Sequence, residues 1–308
     1  MGGYGASARP GTRVTSVENL SARSWLFAPG DSERKMEKAA AGPADAVILD
    51  LEDAVVEDEK PKARSRVAAF LKERRNQRGQ AWVRINPLQG PHALADLAAV
   101  MPASPAGIVL PKPRGRADAE LLGHYLTAFE AAAGTALGAT KVMLLATEMP
   151  ESMLAIGSFA GVARLAAMSW GADDLATALG AADSRGADGA YEFTYELARS
   201  LCLLGAAAAG VPAIETIHAD FRDTAGLRKR AQAVRRAGYR GMLAIHPDQV
   251  DVINEAFSPT AQELAAAQEI VDLFAANPTA GTIGHKGTML DRPHLARAQA
   301  VLSLARPR

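Results

Sequence analysis

Ionisable residues close several apolar runs in this chain, and chemistry would start there. Asp50, Glu52 and Asp53 follow Ala46-Val47-Ile48-Leu49, and Arg84 follows Ala81-Trp82-Val83. Lys112 follows Ile108-Val109-Leu110-Pro111, and Glu148 follows Leu144-Leu145-Ala146-Thr147. Asp173 and Asp174 follow Trp170-Gly171-Ala172, and His246 follows Ala244-Ile245. A charge at the buried end of such a run needs a partner: an opposite charge, a metal or a substrate. Glu148 and Asp174 are the candidate metal ligands. Oxygen ligands without cysteine suit a hard cation. Mg2+, which keeps several waters, fits two carboxylates better than Ca2+, which wants a crowded oxygen cage. The same two residues also fit as helix caps, and both readings stay open.

Arg84, in Val-Arg-Ile-Asn-Pro, offers a planar fork for a substrate carboxylate or a developing enolate oxygen. It fits equally as an ion pair with Glu52 or Asp50. Lys112 could form a Schiff base, but it reads better as a cation holding the acidic residues in place. His246 reads as a packed, hydrogen-bonded residue. Asp50, Glu52 and Asp53 combine ion pairing with support of a metal site. Other chemistries find little footing. No GxSxG occurs, the histidines show no HxxxH spacing, and Cys202 falls in an apolar helical segment that suits the core.

Elements in a regular order must position these residues. Short apolar runs begin near Trp25, Ala46, Ala81, Ala106, Lys141, Leu165, Pro212 and Gly241. They are continuous rather than alternating, as in strands covered on both faces of a parallel sheet. Helical segments are predicted over about 32–41, 57–75, 92–101, 116–133, 150–159, 192–209, 222–237 and 247–256. Eight strand–helix units predict an α/β fold, a (β/α)8 TIM barrel, whose working residues lie where strands finish. A doubly wound sheet would want a GxGxxG after its first strand, and none is present. The expected organisation is a flexible segment 1–22, a catalytic barrel 23–258, and a C-terminal helical extension 259–308. The extension has helices near 260–276 and 292–304; between them residues 277–291, with the Gly-rich run 280–287, read as a flexible arm ending in Asp291.

Composition narrows the function classes. Lys plus Arg and Asp plus Glu both number 34, so no basic excess points to nucleic acid. A single cysteine excludes an internal disulfide framework. No apolar run is long enough to span a membrane, and residues 1–20 lack the apolar stretch of a signal peptide. A cytoplasmic protein is expected.

Several motifs together resemble the citrate lyase β-subunit-like (CitE-like) family of the HpcH/HpaI aldolase superfamily. They include Arg23-Ser24-Trp25-Leu26-Phe27-Ala28-Pro29-Gly30 and Asp45-Ala46-Val47-Ile48-Leu49-Asp50-Leu51-Glu52-Asp53-Ala54-Val55, with Lys60 and Ala63-Arg64 beyond. Val83-Arg84-Ile85-Asn86-Pro87, Leu110-Pro111-Lys112, Thr147-Glu148 and Trp170-Gly171-Ala172-Asp173-Asp174-Leu175 follow in order. Ala244-Ile245-His246-Pro247, Asn254-Glu255-Ala256-Phe257-Ser258-Pro259 and Gly287-Thr288-Met289-Leu290-Asp291-Arg292-Pro293 close the set. The chain departs from the pattern at Met149-Pro150, at Glu215, at Arg240 and over His285-Lys286-Gly287-Thr288. The last departure touches the arm before Asp291, which the resemblance makes a lid over the site.

The resemblance implies a Mg2+-dependent CoA-ester lyase that cleaves or forms a 3-hydroxy-3-carboxyacyl thioester, such as malyl-, citramalyl- or citryl-CoA, giving an acyl thioester and an oxo-acid. It makes Glu148 and Asp174 the metal ligands. Arg84, Glu52 and Asp291 become catalytic, with Asp291 reaching a neighbouring subunit's site. Arg84, Glu148, Arg23 and Lys112 bind substrate. It also implies a homo-oligomer, a trimer or a hexamer. The alternatives are a citrate lyase β subunit acting on an acyl-carrier-protein thioester, a malyl-CoA thioesterase, and a metal-dependent pyruvate aldolase. The aldolases usually place a His just after the second strand, where this chain has Glu52-Asp53-Ala54. A non-catalytic scaffold is the remaining class, and the Glu148, Asp174 and Arg84 set argues against it.

Overall fold

The computed structural model describes residues 22–74 and 81–305. Of the N-terminal segment 1–22, all but Ala22 lies outside the described residues. Eight parallel strands close into a barrel in sequence order. They are β1 (Ser24–Pro29), β2 (Ala46–Asp50), β3 (Ala81–Arg84), β4 (Gly107–Leu110), β5 (Lys141–Leu145), β6 (Leu165–Ser169), β7 (Ala213–Glu215) and β8 (Gly241–Ala244). Closure is made by β1 on β8, with Trp25 opposite Leu243.

Alternation along each strand divides the apolar residues between two cores. Trp25, Ile48, Trp82, Val109, Met143, Ile214 and Leu243 belong to a cluster drawing on all eight strands, which fills the barrel interior. The Trp25 and Trp82 rings meet edge to face at 5.1 Å there. Leu26, Val47, Leu49, Val83, Ile108 and Leu144 face the other way, into the shell between barrel and helices. Both faces of every strand are therefore apolar, which is why the sequence shows unbroken runs.

The helices are α1 (Glu33–Ala40), α2 (Lys60–Glu73), α3 (Ala93–Val100), α4 (Arg116–Ala133), α5 (Pro150–Leu154), α6 (Ala172–Leu179), α7 (Phe193–Ala209), α8 (Thr224–Ala237), α9 (Val250–Ala256), α10 (Ala261–Ala276) and α11 (Arg292–Ser303). Three expected segments divide: 3-10 turns over Glu57–Glu59 and Pro247–Gln249 precede α2 and α9, and another over Ile156–Phe159 follows α5. Helix α6 was not expected. It spans only eight residues, between the N-cap Gly171 and a left-handed Gly180, and its first turn carries two aspartates that read as site residues. The Gly-rich arm is an antiparallel hairpin, β9 (Thr282–His285) with β10 (Thr288–Asp291). Lys286 and Gly287 both have positive φ, as a tight two-residue hairpin turn requires.

Candidate active site

The end of β2 sets one side of the barrel mouth. Asp50, 1% exposed, folds the following turn by accepting the N–H groups of Glu52 at 2.9 Å and Ala54 at 3.2 Å. The same carboxylate takes Arg84 in a two-pronged pair, Nε to Oδ1 at 2.7 Å and Nη2 to Oδ2 at 2.6 Å. Register explains the meeting, since Asp50 and Arg84 are cross-strand partners where β2 and β3 finish. Burial pushes the Asp50 carboxyl up, but the Arg84 charge and hydrogen bonds, with the two backbone N–H groups, hold it below its ordinary value. Arg84 also lies over the Phe27 ring, 4.8 Å from its centre.

Glu52 bridges the two cations of the mouth. Its Oε2 lies 2.9 Å from Arg84 Nη1 and its Oε1 2.6 Å from Lys112 Nζ. Burial raises its carboxyl to about 7, against the pull of Arg84 and Lys112 and with help from Asp53. Lys112 Nζ also lies 3.1 Å from Asp174 Oδ1, and the Lys112 N–H donates to Glu148 Oε2 at 2.8 Å. Lys112 adopts a left-handed φ of 50°, costly for a residue with a Cβ, and these contacts fix it there. Burial works against the Lys112 charge, but Glu52, Glu148 and Asp174 raise its affinity for the proton.

Glu148 ends the segment after β5 and is 3% exposed. Gly171 passes close beside it: a Cβ there would stand 3.0 Å from both Cγ and Oε1 of Glu148. Glycine is therefore what lets the β6–α6 turn bring Asp174 to the same mouth. Burial, then the charges of Asp174 and Glu52, raise the Glu148 carboxyl well above its ordinary value, against Lys112 and Arg84.

Five carboxylates, Asp50, Glu52, Asp53, Glu148 and Asp174, thus face two side-chain cations, Arg84 and Lys112. A cluster so rich in negative charge, in a cleft of about 510 Å³, suits a divalent cation. Among the described residues no group of three or more His, Cys, Asp or Glu forms a ready cage. Two carboxylates with the remaining positions left to water and substrate fit Mg2+ best. Phe27, Leu145, Trp170, Leu243 and Ile245 supply the cleft's apolar wall.

The structure therefore brings together Glu52, Arg84, Lys112, Glu148 and Asp174. It does not bring Arg23 to them. Arg23 precedes β1, so it sits where strands begin, at the opposite end of the barrel. There it holds Asp45 at 2.9 and 3.0 Å and donates to Ser258 Oγ at 2.8 Å. Asp291 lies outside the lining of its own cleft, at the start of α11, paired with His294 and capping that helix. His246 stacks on Phe221 at 4.5 Å and accepts the Asp248 N–H at 3.2 Å, the packed role expected of it. Sequence reasoning passed over Phe27 and Trp170 as wall residues, because an aromatic in an apolar run carries no sign of the side it faces.

A closed parallel barrel with a carboxylate-rich cleft at the finishing ends of its strands defines the class: a (β/α)8 barrel with a site built for a cation and an anionic ligand. Residues 23–247 match the HpcH/HpaI aldolase/citrate lyase family, and the chain belongs to it. It is 34% identical to a citrate lyase subunit beta-like protein of Mycobacterium tuberculosis, over 91% of this chain and 94% of that one. A (3S)-malyl-CoA thioesterase of Cereibacter sphaeroides is 32% identical, over 92% and 94%. A mitochondrial citramalyl-CoA lyase of Rattus norvegicus is 28% identical, over 96% and 90%. Among solved structures, CitE of Mycobacterium tuberculosis in complex with magnesium, acetoacetate and coenzyme A superposes with a TM-score of 0.77. It is 32% identical, with 93% of this chain and 99% of that one covered.

Proposed function

We propose that this chain is a Mg2+-dependent carbon–carbon lyase of the cytoplasm. It cleaves or forms a 3-hydroxy-3-carboxyacyl-CoA such as malyl-, citramalyl- or citryl-CoA. The observation that carries the reading is one cleft holding Arg84, braced by Asp50 and Glu52, beside the carboxylates of Glu148 and Asp174. The kinship with lyases and with a CitE that binds magnesium and coenzyme A supports it.

Glu148 and Asp174 hold the cation, which supplies Lewis-acid polarisation of the oxo-acid oxygens when bound. Glu52, with its carboxyl raised to about 7, takes the proton of the substrate's 3-hydroxyl near neutral pH. The C2–C3 bond then breaks: C3 becomes the oxo-acid carbonyl, and the electron pair moves onto the thioester as an enolate. Arg84 presents a fixed guanidinium to the oxo-acid and to the oxygen where charge develops. Lys112 holds Glu52 and Asp174 together at the barrel mouth and adds positive charge for the substrate carboxylate. Asp291, on residues 259–308 of an adjacent chain, covers the cleft of barrel 23–258; its carboxylate takes up a proton from water and passes it to the enolate carbon, while Glu52 releases the hydroxyl proton to water, so no net proton is consumed. A shared site needs an oligomer, and the family resemblance makes that a homotrimer or hexamer. The support for a shared site is that Asp291 caps α11 and stands outside its own chain's cleft lining.

Mass spectrometry of malyl-, citramalyl-, citryl- and hydroxymethylglutaryl-CoA incubated with the protein is the test. We expect paired acyl-CoA and oxo-acid products from at least one thioester, lost on chelation of Mg2+. Free CoA with an intact hydroxy-acid would replace the lyase by a thioesterase.

A further inference from the structure

Hydrogen bonding between β2 and β3 continues past the strand ends only as far as the Leu51 N–H, which donates to Arg84 O at 2.9 Å. Beyond it the Leu51 carbonyl is met by side chains, and the Glu52 carbonyl, which takes the Val55 N–H at 3.1 Å, has room for a second donor, in a place closed to water. Lys60, 7% exposed in the first turn of α2, reaches both carbonyls. Its Nζ donates to Leu51 O and Glu52 O, each at 3.0 Å, and to Asn86 Oδ1 at 2.8 Å. Those three bonds use every N–H an ammonium has.

Asn86, two residues beyond Arg84, completes the tie. Its Nδ2 donates to Leu51 O at 2.8 Å and to Asp96 Oδ2 at 2.7 Å, and its backbone N–H donates to the same Asp96 oxygen at 2.8 Å. Asp96, fully buried on α3, takes Arg64 Nε at 2.6 Å on its other oxygen. Helices α2 and α3 are thereby fastened to the two loops that carry Glu52 and Arg84 at the barrel mouth.

We propose that Lys60 is a positioning residue of this site: by holding the Leu51 and Glu52 carbonyls against Asn86, it sets where the Glu52 carboxylate stands relative to Arg84 and Lys112. The proposal rests on the roles given above to Glu52 and Arg84. One Glu52 carboxylate must reach Arg84 at 2.9 Å and Lys112 at 2.6 Å together, so a small drift of its loop loses one contact or the other. Displacement of a reacting group by about 1 Å costs on the order of a hundredfold in rate. If Lys60 instead only satisfies backbone carbonyls, its loss costs stability and is indifferent to Glu52.

Lys60→Met, which keeps the stem and removes the donors, separates these cases. Hydrogen exchange should show lost protection at the amides of residues 52–55, with the barrel strands unchanged. Leu126→Ala, a buried truncation on α4, serves as the control for general destabilisation and leaves 52–55 protected relative to the rest. We expect kcat for the cleaved thioester to fall at least about tenfold, with KM within about threefold. In a Glu52→Gln background the same substitution should cost less than about twofold, because the group it positions is already gone. An equal loss in both backgrounds, or unchanged kcat despite lost protection, overturns the positioning role. Unchanged protection at 52–55 overturns the tie itself, whatever the activity. If Lys60→Met does not fold, Lys60→Gln, which keeps two donors on a shorter stem, goes through the same measurements with the same outcomes. Failure of the wild type to cleave any thioester would sink the lyase reading, and the exchange measurement would still judge the tie.

Discussion

Arg84 carries the most at the residue scale. Asp50 occupies Nε and Nη2, Glu52 shares Nη1, and Phe27 lies beneath the guanidinium. Burial opposes its charge, but Asp50, Glu52 and Glu148 hold it above its ordinary value, so it stays a cation at any working pH. Arg84→Lys keeps the charge and loses the planar fork. One ammonium cannot satisfy both Asp50 oxygens and also face the cleft. We expect kcat to drop on the order of a hundredfold if the guanidinium meets developing negative charge. A rise confined to KM would make it a binder of the oxo-acid alone. Steady-state kinetics tell these apart, and unchanged constants would refute both. The sequence left Arg84 open between substrate fork and ion pair. The ion pair is in the structure, and the substrate role is the part that kinetics must judge.

At the scale of elements, a second buried charge pair shows how the barrel's framework is held. Glu130, in the last turns of α4, is 1% exposed. It accepts both Arg164 terminal nitrogens at 2.7 Å, and the Gly138 and Thr140 N–H groups at 2.7 and 2.8 Å. One carboxylate thus joins α4, the lead-in to β5 and the residue before β6. Arg164 has a φ of 68°, a left-handed conformation that this pairing secures. Burial raises the Glu130 carboxyl, but the Arg164 hydrogen bonds and the two N–H groups outweigh it and bring it to about 2. A carboxyl depressed in the folded state stabilises above its unfolded value of 4.5 and loses that contribution as pH falls towards about 2. Glu130→Gln should destabilise by about 3 kcal/mol near neutral pH, because it strands a buried guanidinium. It should also flatten the fall in stability across that acid window. Urea unfolding at several pH values measures both; a variant as steep as wild type would show that Glu130 is not the group titrating.

Assembly belongs to the whole molecule. The barrel closes with β8 on β1, so α10, the hairpin and α11 are not needed to complete it. The hairpin is anchored to α10 through Lys286 and His285, both on Glu269, at 2.8 and 3.0 Å. It is therefore a shaped projection rather than a loose arm, and Met289 on it is 63% exposed. If Asp291 completes a neighbour's cleft, Asp291→Ala and Glu148→Ala subunits, each inactive alone, should regain activity when mixed. Some interfaces would then pair an intact cation site with an intact lid. Native mass spectrometry must show mixed oligomers in the same sample; mixed oligomers without activity would end the shared-site reading. The residues that depart from the family pattern, His285-Lys286-Gly287-Thr288, fall on this projection, away from Glu148 and Asp174, so under the shared-site reading they would bear on closure over the neighbour's cleft.

The sequence by itself determined the barrel and most of its mouth. Strands buried on both faces must read as continuous apolar runs, and a charge that ends such a run has one place to go, the face where strands finish. Glu52, Arg84, Lys112, Glu148 and Asp174 were legible for that reason. Tertiary structure alone decided who pairs with whom. Cross-strand register set Asp50 against Arg84, and the close pass of Gly171 beside Glu148 allowed Asp174 to join them. It also separated Arg23 from the site, because residues at the start and the end of one short strand face opposite ends of the barrel. Lys60 escaped notice as a site residue because its partners are backbone carbonyls and an amide 26 positions away, and one-dimensional spacing records neither.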